Sequence, residues 1–197
     1  MIRGSELATG VYGAWRLLHF DRTAIQYFGS NTDAFWKSFY AALVVLPPVI
    51  VLRVLFFELA PEEFRQAGFA RITTVFAIDY VYQWVLFPLV MIYLAEILGR
   101  DRRYITFIAA RNWSQIIQIA IFFPAAVLFL MLRADNPSWG SAILVGAYLA
   151  TWVYEWFVTR VALDISNGAA AAIVAISVAA SFGISSFSEA LIFAAAR

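Results

Sequence analysis

The chain has 197 residues, of which 63% are hydrophobic, 17% aromatic and 14% charged, with a net charge of +1. A water-soluble domain is about half apolar and about a quarter charged, so there are too few charges here to cover a water-facing surface, and the composition points to a membrane protein. The small net charge argues against a nucleic-acid partner, and the lack of cysteine excludes disulfides, thiolate metal sites and cysteine nucleophiles.

Residues 1–35 differ in kind from the rest. Leu7, Val11, Trp15 and Leu18 recur at helical spacing, while Glu6, Arg16 and His19 lie elsewhere. That is the pattern of an amphipathic helix in the membrane interface, and a tail packed on helix ends fits it equally. The opening residues 1–7 show no basic region followed by an apolar core and a cleavage site, so no cleavable signal peptide is predicted. The first span is then expected to direct insertion.

Residues 36–197 are expected to form a transmembrane domain. A crossing helix needs about 20 mostly apolar residues, each adding about 1.5 Å. Five stretches qualify, roughly 36–59, 72–98, 114–132, 139–161 and 168–195. Backbone groups in lipid have no water to bond, so each segment must pair its own. Barrel-type alternation is absent, and the predicted fold class is all-α: a polytopic helical membrane protein.

The connectors agree. Pro61-Glu62-Glu63 opens a short helical piece with acids in its first turn. Asn136-Pro137 reads as a cap and first-turn proline for the fourth span. Gly99 and Gly168 sit at span boundaries, whereas Pro47, Pro48, Pro88 and Pro124 fall inside spans, where each removes a donor and kinks its helix.

Basic residues set the orientation. One side carries Arg3, Arg16, Arg22, Lys37, Arg100, Arg102, Arg103, Arg111 and Arg160, and the other carries Arg65, Arg71, Arg133 and Arg197. The amino terminus is expected in the cytoplasm and the carboxy terminus on the opposite side. Arginine outnumbers lysine heavily, Lys37 being the one lysine, which points to a GC-rich bacterial genome and hence a bacterial inner membrane.

Ionisable groups inside a span cost roughly 2.5–3.5 kcal/mol each. Arg53, Asp79 and Glu189 all fall about 10 Å below the same boundary. As a cluster they suggest a polar pocket or proton-linked path; as structure they would register helices, with Arg53 snorkelling outward. Glu96 and Glu155 are expected to make edge pairs with Arg100, Arg111 and Arg160. Asn112, Gln115 and Gln118 form a polar stripe suited to interhelical hydrogen bonds. Ala172, Ala175, Ala179 and Gly183 form a small-residue face for close packing, and Ser181, Ser185, Ser186 and Ser188 add hydroxyls.

The loop Gly99-Arg100-Asp101-Arg102-Arg103 concentrates charge. Arg100, Arg102 and Arg103 would anchor topology and attract anionic lipids or a protein partner, at about 1 kcal/mol per basic residue. His19 is the lone histidine, phosphate-cradling glycine loops are absent, and no carboxylates stand at catalytic spacing. The expectation is a non-enzymatic protein without metal or cofactor.

From the second span onward the layout resembles the five-span YIP (Ypt-interacting protein) family. The glycine-basic turn 99–104 leads into an amphipathic stretch ending at Trp113, and Val161–Gly168 passes directly from the fourth span into an alanine-rich fifth. Prolines in span one, Pro47-Pro48, and a helix before it are similar too. The family's aspartate-rich and tyrosine-proline elements are not evident. The resemblance implies a cytoplasmic amino terminus and a role in membrane organisation or partner binding; eukaryotic members associate with small GTPases. Two functions follow: a membrane-organising or partner-binding protein that would act on other membrane proteins or as a homo-oligomer, or a small transporter or channel built around Arg53, Asp79 and Glu189.

Overall fold

The computed structural model describes residues 2–57, 59–60 and 62–193. Pro61, the end of the fifth span at 194–195 and Arg197 lie outside the described residues. All regular structure among the described residues is helical: α1 (Gly4–Leu18), α2 (Thr32–Ser38), α3 (Tyr40–Phe57), α4 (Glu62–Gln66), α5 (Phe69–Ile97), α6 (Tyr104–Leu132), α7 (Pro137–Leu163) and α8 (Asn167–Phe193). Five helical stretches, counting α2 and α3 as one, are long and apolar enough to cross a membrane.

Local chemistry explains where helices start and stop. The Asn31 side chain accepts from the Ala34 amide at 2.8 Å and starts α2. Gly99, at φ 64°, ends α5, and the Arg100 amide turns back to the Ala95 carbonyl at 2.7 Å. Asp164 takes the same left-handed conformation at the end of α7, with φ 54°.

Helix α6 is the hub. It packs along α7 and against α1, α2 and α3, while α8 closes the bundle against α5 and α7. Its first ten residues, expected to precede the third span, are already helical, because Phe107, Ile108 and Ala110 are fully buried beneath the amino-terminal segment.

Helix α1 docks on the ends of α6 and α7. Gly10, Gly13, Ala14 and Leu17 form its buried face, with Tyr12 and Trp15 turned outward. The approach is close: a Cβ on Gly10 would lie 2.5 Å from the Trp113 ring. The Tyr154 hydroxyl donates to the Ala14 carbonyl at 2.8 Å and meets the Ser114 hydroxyl at 2.9 Å. Asn112 donates to Ser38 at 2.9 Å. These bonds tie α1, α2, α6 and α7 into a cap.

The bundle therefore has a capped end and an open end. The capped end holds α1, α2 and the turns after α5 and α7; the carboxy-terminal part of α8 lies at the open end beside α4.

The small-residue face of α8 is a correction. Ala172, Ala175, Ala179 and Gly183 are all exposed, and the packed face carries Ala170, Ile173, Val174 and Ser177. Lipid solvates methyl groups as well as protein does, whereas a hydroxyl gains from an inward partner. Rotating the serines inward turns the alanines out.

Candidate functional site

Two ion pairs lie inside the bundle at different levels. At the open end Arg53 on α3 meets Asp79 on α5 at 3.2 Å, and Ser188 on α8 donates to the other Asp79 oxygen at 3.3 Å. The Asp79 side chain is 4% exposed and that of Arg53 55%. Helices α3 and α5 meet chiefly here and through the Tyr80 hydroxyl, which donates to the Ala42 carbonyl at 2.6 Å.

Arg53 and Asp79 are thus paired as expected, but Glu189 does not join them. It is exposed, and among the described residues it has no hydrogen-bond or ion-pair partner. Consecutive helical residues point about 100° apart, so a helix that aims Ser188 at Asp79 turns Glu189 away.

Nearer the capped end, Arg111 Nε donates to Glu155 Oε1 at 3.2 Å, with both side chains 9% exposed. Ser177 donates to the same oxygen at 3.1 Å, and Arg111 Nη2 reaches Ser177 at 3.3 Å. The guanidinium carbon stands 3.7 Å from the centre of the Phe87 ring. A desolvated contact of this kind contributes about 2 kcal/mol.

Glu155 thus pairs with Arg111, one of its expected partners, but inside the bundle and not at its edge. Helix α6 begins at Tyr104, so Arg111 lies two turns inside it, and Glu155 lies two turns before the end of α7. Glu96 stays exposed, and Arg160 lies over Trp156 at 5.8 Å. The missed signal was the mostly apolar stretch 105–110, which only Arg111, Asn112 and Trp113 separate from the third span. Nothing in the sequence marked Ser177 among its many neighbouring small residues.

A cavity of about 400 Å³ joins the two levels, within the size range of small-molecule sites (about 300–1,000 Å³). Its wall includes Arg53, Asp79, Arg111, Glu155 and Ser177. Gln83, Gln115, Gln118, Ser181 and Ser185 line the stretch between, with Trp84, Phe122, Tyr148 and Trp152. Gln118 Nε2 is buried without a hydrogen bond within the described structure. An unpaired buried donor costs about 1–3 kcal/mol. Of the expected polar stripe, Asn112 is spent on Ser38, while Gln115 and Gln118 face the cavity.

The basic loop lies at the capped end, away from the cavity. Arg100 donates to the Asp164 carbonyl at 3.1 Å, and Arg103 pairs with the Asp164 carboxylate at 3.4 Å. Arg102 is exposed. Among the described residues no group of His, Asp and Glu gathers to hold a metal ion.

No family profile, curated protein or solved structure matches the chain.

Proposed function

We propose that this integral membrane protein is a non-enzymatic carrier that binds a small polar solute in the cleft between its helices. The observation that carries this reading is the cavity spanning both ion pairs. Arg53 is balanced by Asp79 and Arg111 by Glu155, so the cleft is neutral as a whole. Its uncommitted groups are amides and hydroxyls beside aromatic rings. That chemistry suits a net-neutral or zwitterionic solute with an apolar face.

Thermal unfolding of the purified chain with glycine, betaine, glycerol or glucose tests the proposal. A ligand that binds only the folded chain raises the unfolding temperature by mass action. A rise with at least one of these solutes, lost in Gln118→Leu, is expected. No shift with any member would contradict the proposal.

A second reading, that of a YIP-like membrane-organising protein of a bacterial inner membrane with its amino terminus in the cytoplasm, is supported by the outward small-residue face of α8 and the exposed Arg102. Cysteine introduced at Ala175 would crosslink between copies in membranes if that face meets a second copy; a lone monomer band would remove the homo-oligomer.

A further inference from the structure

Helices α3, α6 and α7 pack side by side, as do α5 and α8, and all five contribute to the wall of the cavity. The two seams between these sets differ. Between α3 and α5, Arg53 pairs with Asp79 at 3.2 Å and Tyr80 donates to the Ala42 carbonyl at 2.6 Å. Between α7 and α8 the hydrogen bonds lie toward the capped end: Trp156 Nε1 donates to the Asn167 carbonyl at 3.0 Å and Ser177 to Glu155 at 3.1 Å. From Ser177 to the open end, no hydrogen bond, ion pair or ring contact joins these two helices among the described residues.

Tyr148 on α7 and Phe182 on α8 flank that unpinned stretch. Both line the cavity, and both are exposed, at 41% and 62%. Each stands near the middle of its helix, so the surface they border faces hydrocarbon rather than headgroups or water. A residue that lines a cavity and is also open to the outside marks its mouth.

The interior behind this mouth is polar without being charged. Arg53 is closed against Asp79 and Arg111 against Glu155. Between the pairs stand Gln115, Gln118, Ser181 and Ser185, beside the rings of Trp84 and Trp152. Gln118 Nε2 has no hydrogen-bond partner among the described residues, and an oxygen acceptor would satisfy it. An ionised group at this depth costs roughly 2.5–3.5 kcal/mol and would find no spare counter-charge. The groups present suit an uncharged head.

We infer that the cleft seats the head of an uncharged single-chain lipid, of the monoacylglycerol kind, whose chain passes out between α7 and α8 into the bilayer. This deepens the carrier reading, on which it rests, by naming the class of its solute. The head's ester and hydroxyl oxygens face the glutamines and serines, and the first methylenes lie against Tyr148 and Phe182. The hydrocarbon chain never leaves hydrocarbon.

The probe is a monoacylglycerol with a diazirine on the chain next to the carbonyl, photolysed with the full chain in phosphatidylcholine liposomes. Mass spectrometry then maps the adducts. They are expected at Tyr148, Trp152 and Phe182, falling about tenfold under a tenfold excess of unlabelled monooleoylglycerol, as two ligands sharing one saturated site must by mass action. Adducts at Ala175 and Ala179, on the outward face of α8, should not fall. Ser181→Trp, which fills the cleft from α8, should remove the competed adducts and spare the outward ones. Adducts that no excess reduces, or that spread evenly over both faces of α8, would overturn the lipid seat. That result beside a thermal shift with free glycerol would leave the carrier standing with a water-borne solute. Neither a competed adduct nor a thermal shift would remove both.

Discussion

Arg111 and Glu155 meet at 3.2 Å in the packed part of the bundle, each about nine-tenths enclosed. Breaking such a pair strands a charge in a low-dielectric site and costs about 3–5 kcal/mol, whereas replacing both members with apolar residues of similar volume is close to neutral. Glu155→Ala is therefore expected to destabilise strongly. The double variant Arg111→Met with Glu155→Leu should recover most of the loss in thermal unfolding, while solute binding stays absent. Restored binding in the double variant would reduce the pair to a structural role.

The two members of the outer pair are not equivalent. Removing Arg53 leaves Asp79 enclosed and unpaired, but removing the Asp79 charge leaves an Arg53 that is already half exposed. Arg53→Gln should cost about 3 kcal/mol, and Asp79→Asn less, because the freed Arg53 can snorkel toward the headgroups. Chemical denaturation in detergent reads both, and the reverse order would show that Arg53 is held by something other than Asp79.

Gly10 permits the contact between α1 and the Trp113 ring. Adding a methyl group there must displace α1 or the indole, and overpacking of this kind costs about 1–3 kcal/mol. Gly10→Ala is expected to loosen the cap, seen as faster amide exchange across residues 4–18, with exchange in α8 unchanged. Gly183→Ala, which meets nothing within 4 Å, serves as the control.

Acid should loosen the same cap. The Thr23 hydroxyl, at 2.7 Å from Asp21, is the first cause holding the Asp21 carboxyl below its usual range; burial opposes it, and the Thr23 amide and Arg16 add to it. The Arg3 amide, followed by Lys37, does the same for Glu6. Carboxyls depressed in the folded state stabilise it above their unfolded values, about 3.9 for Asp and 4.3 for Glu, and that stability is lost as pH falls through the lower folded values. Exchange across α1, corrected for its intrinsic pH dependence, should be constant at neutral pH and rise only below the normal carboxylate range. A rise beginning near pH 7 would assign the docking to other groups.

Much of this architecture was legible because apolar length is a strong signal. The five spans, the Pro137 start of α7 and the Gly99 stop follow from rules local to a few residues, although the Asn136 side chain makes no cap hydrogen bond. Depth was legible as well, since counting residues from span ends placed Arg53 beside Asp79. Helix rotation was not: one residue of phase separates Ser188 from Glu189 and the packed face of α8 from its alanines. The sequence also hid the importance of Arg111 and Glu155. Their burial comes from tertiary contacts with Ser177 on α8 and the Phe87 ring on α5, which no local pattern announces.

The lack of native cysteine allows the cleft to be probed one residue at a time. The most direct measurement is the rate at which a charged, membrane-impermeant methanethiosulfonate modifies cysteine at Ser181, facing the cavity, compared with cysteine at Ala179, on the outward face of the same helix. A solvent-filled cleft predicts fast modification at position 181 and none at 179 in the intact membrane. Equal inertness at both positions would contradict it, leaving two ion pairs sealed among side chains.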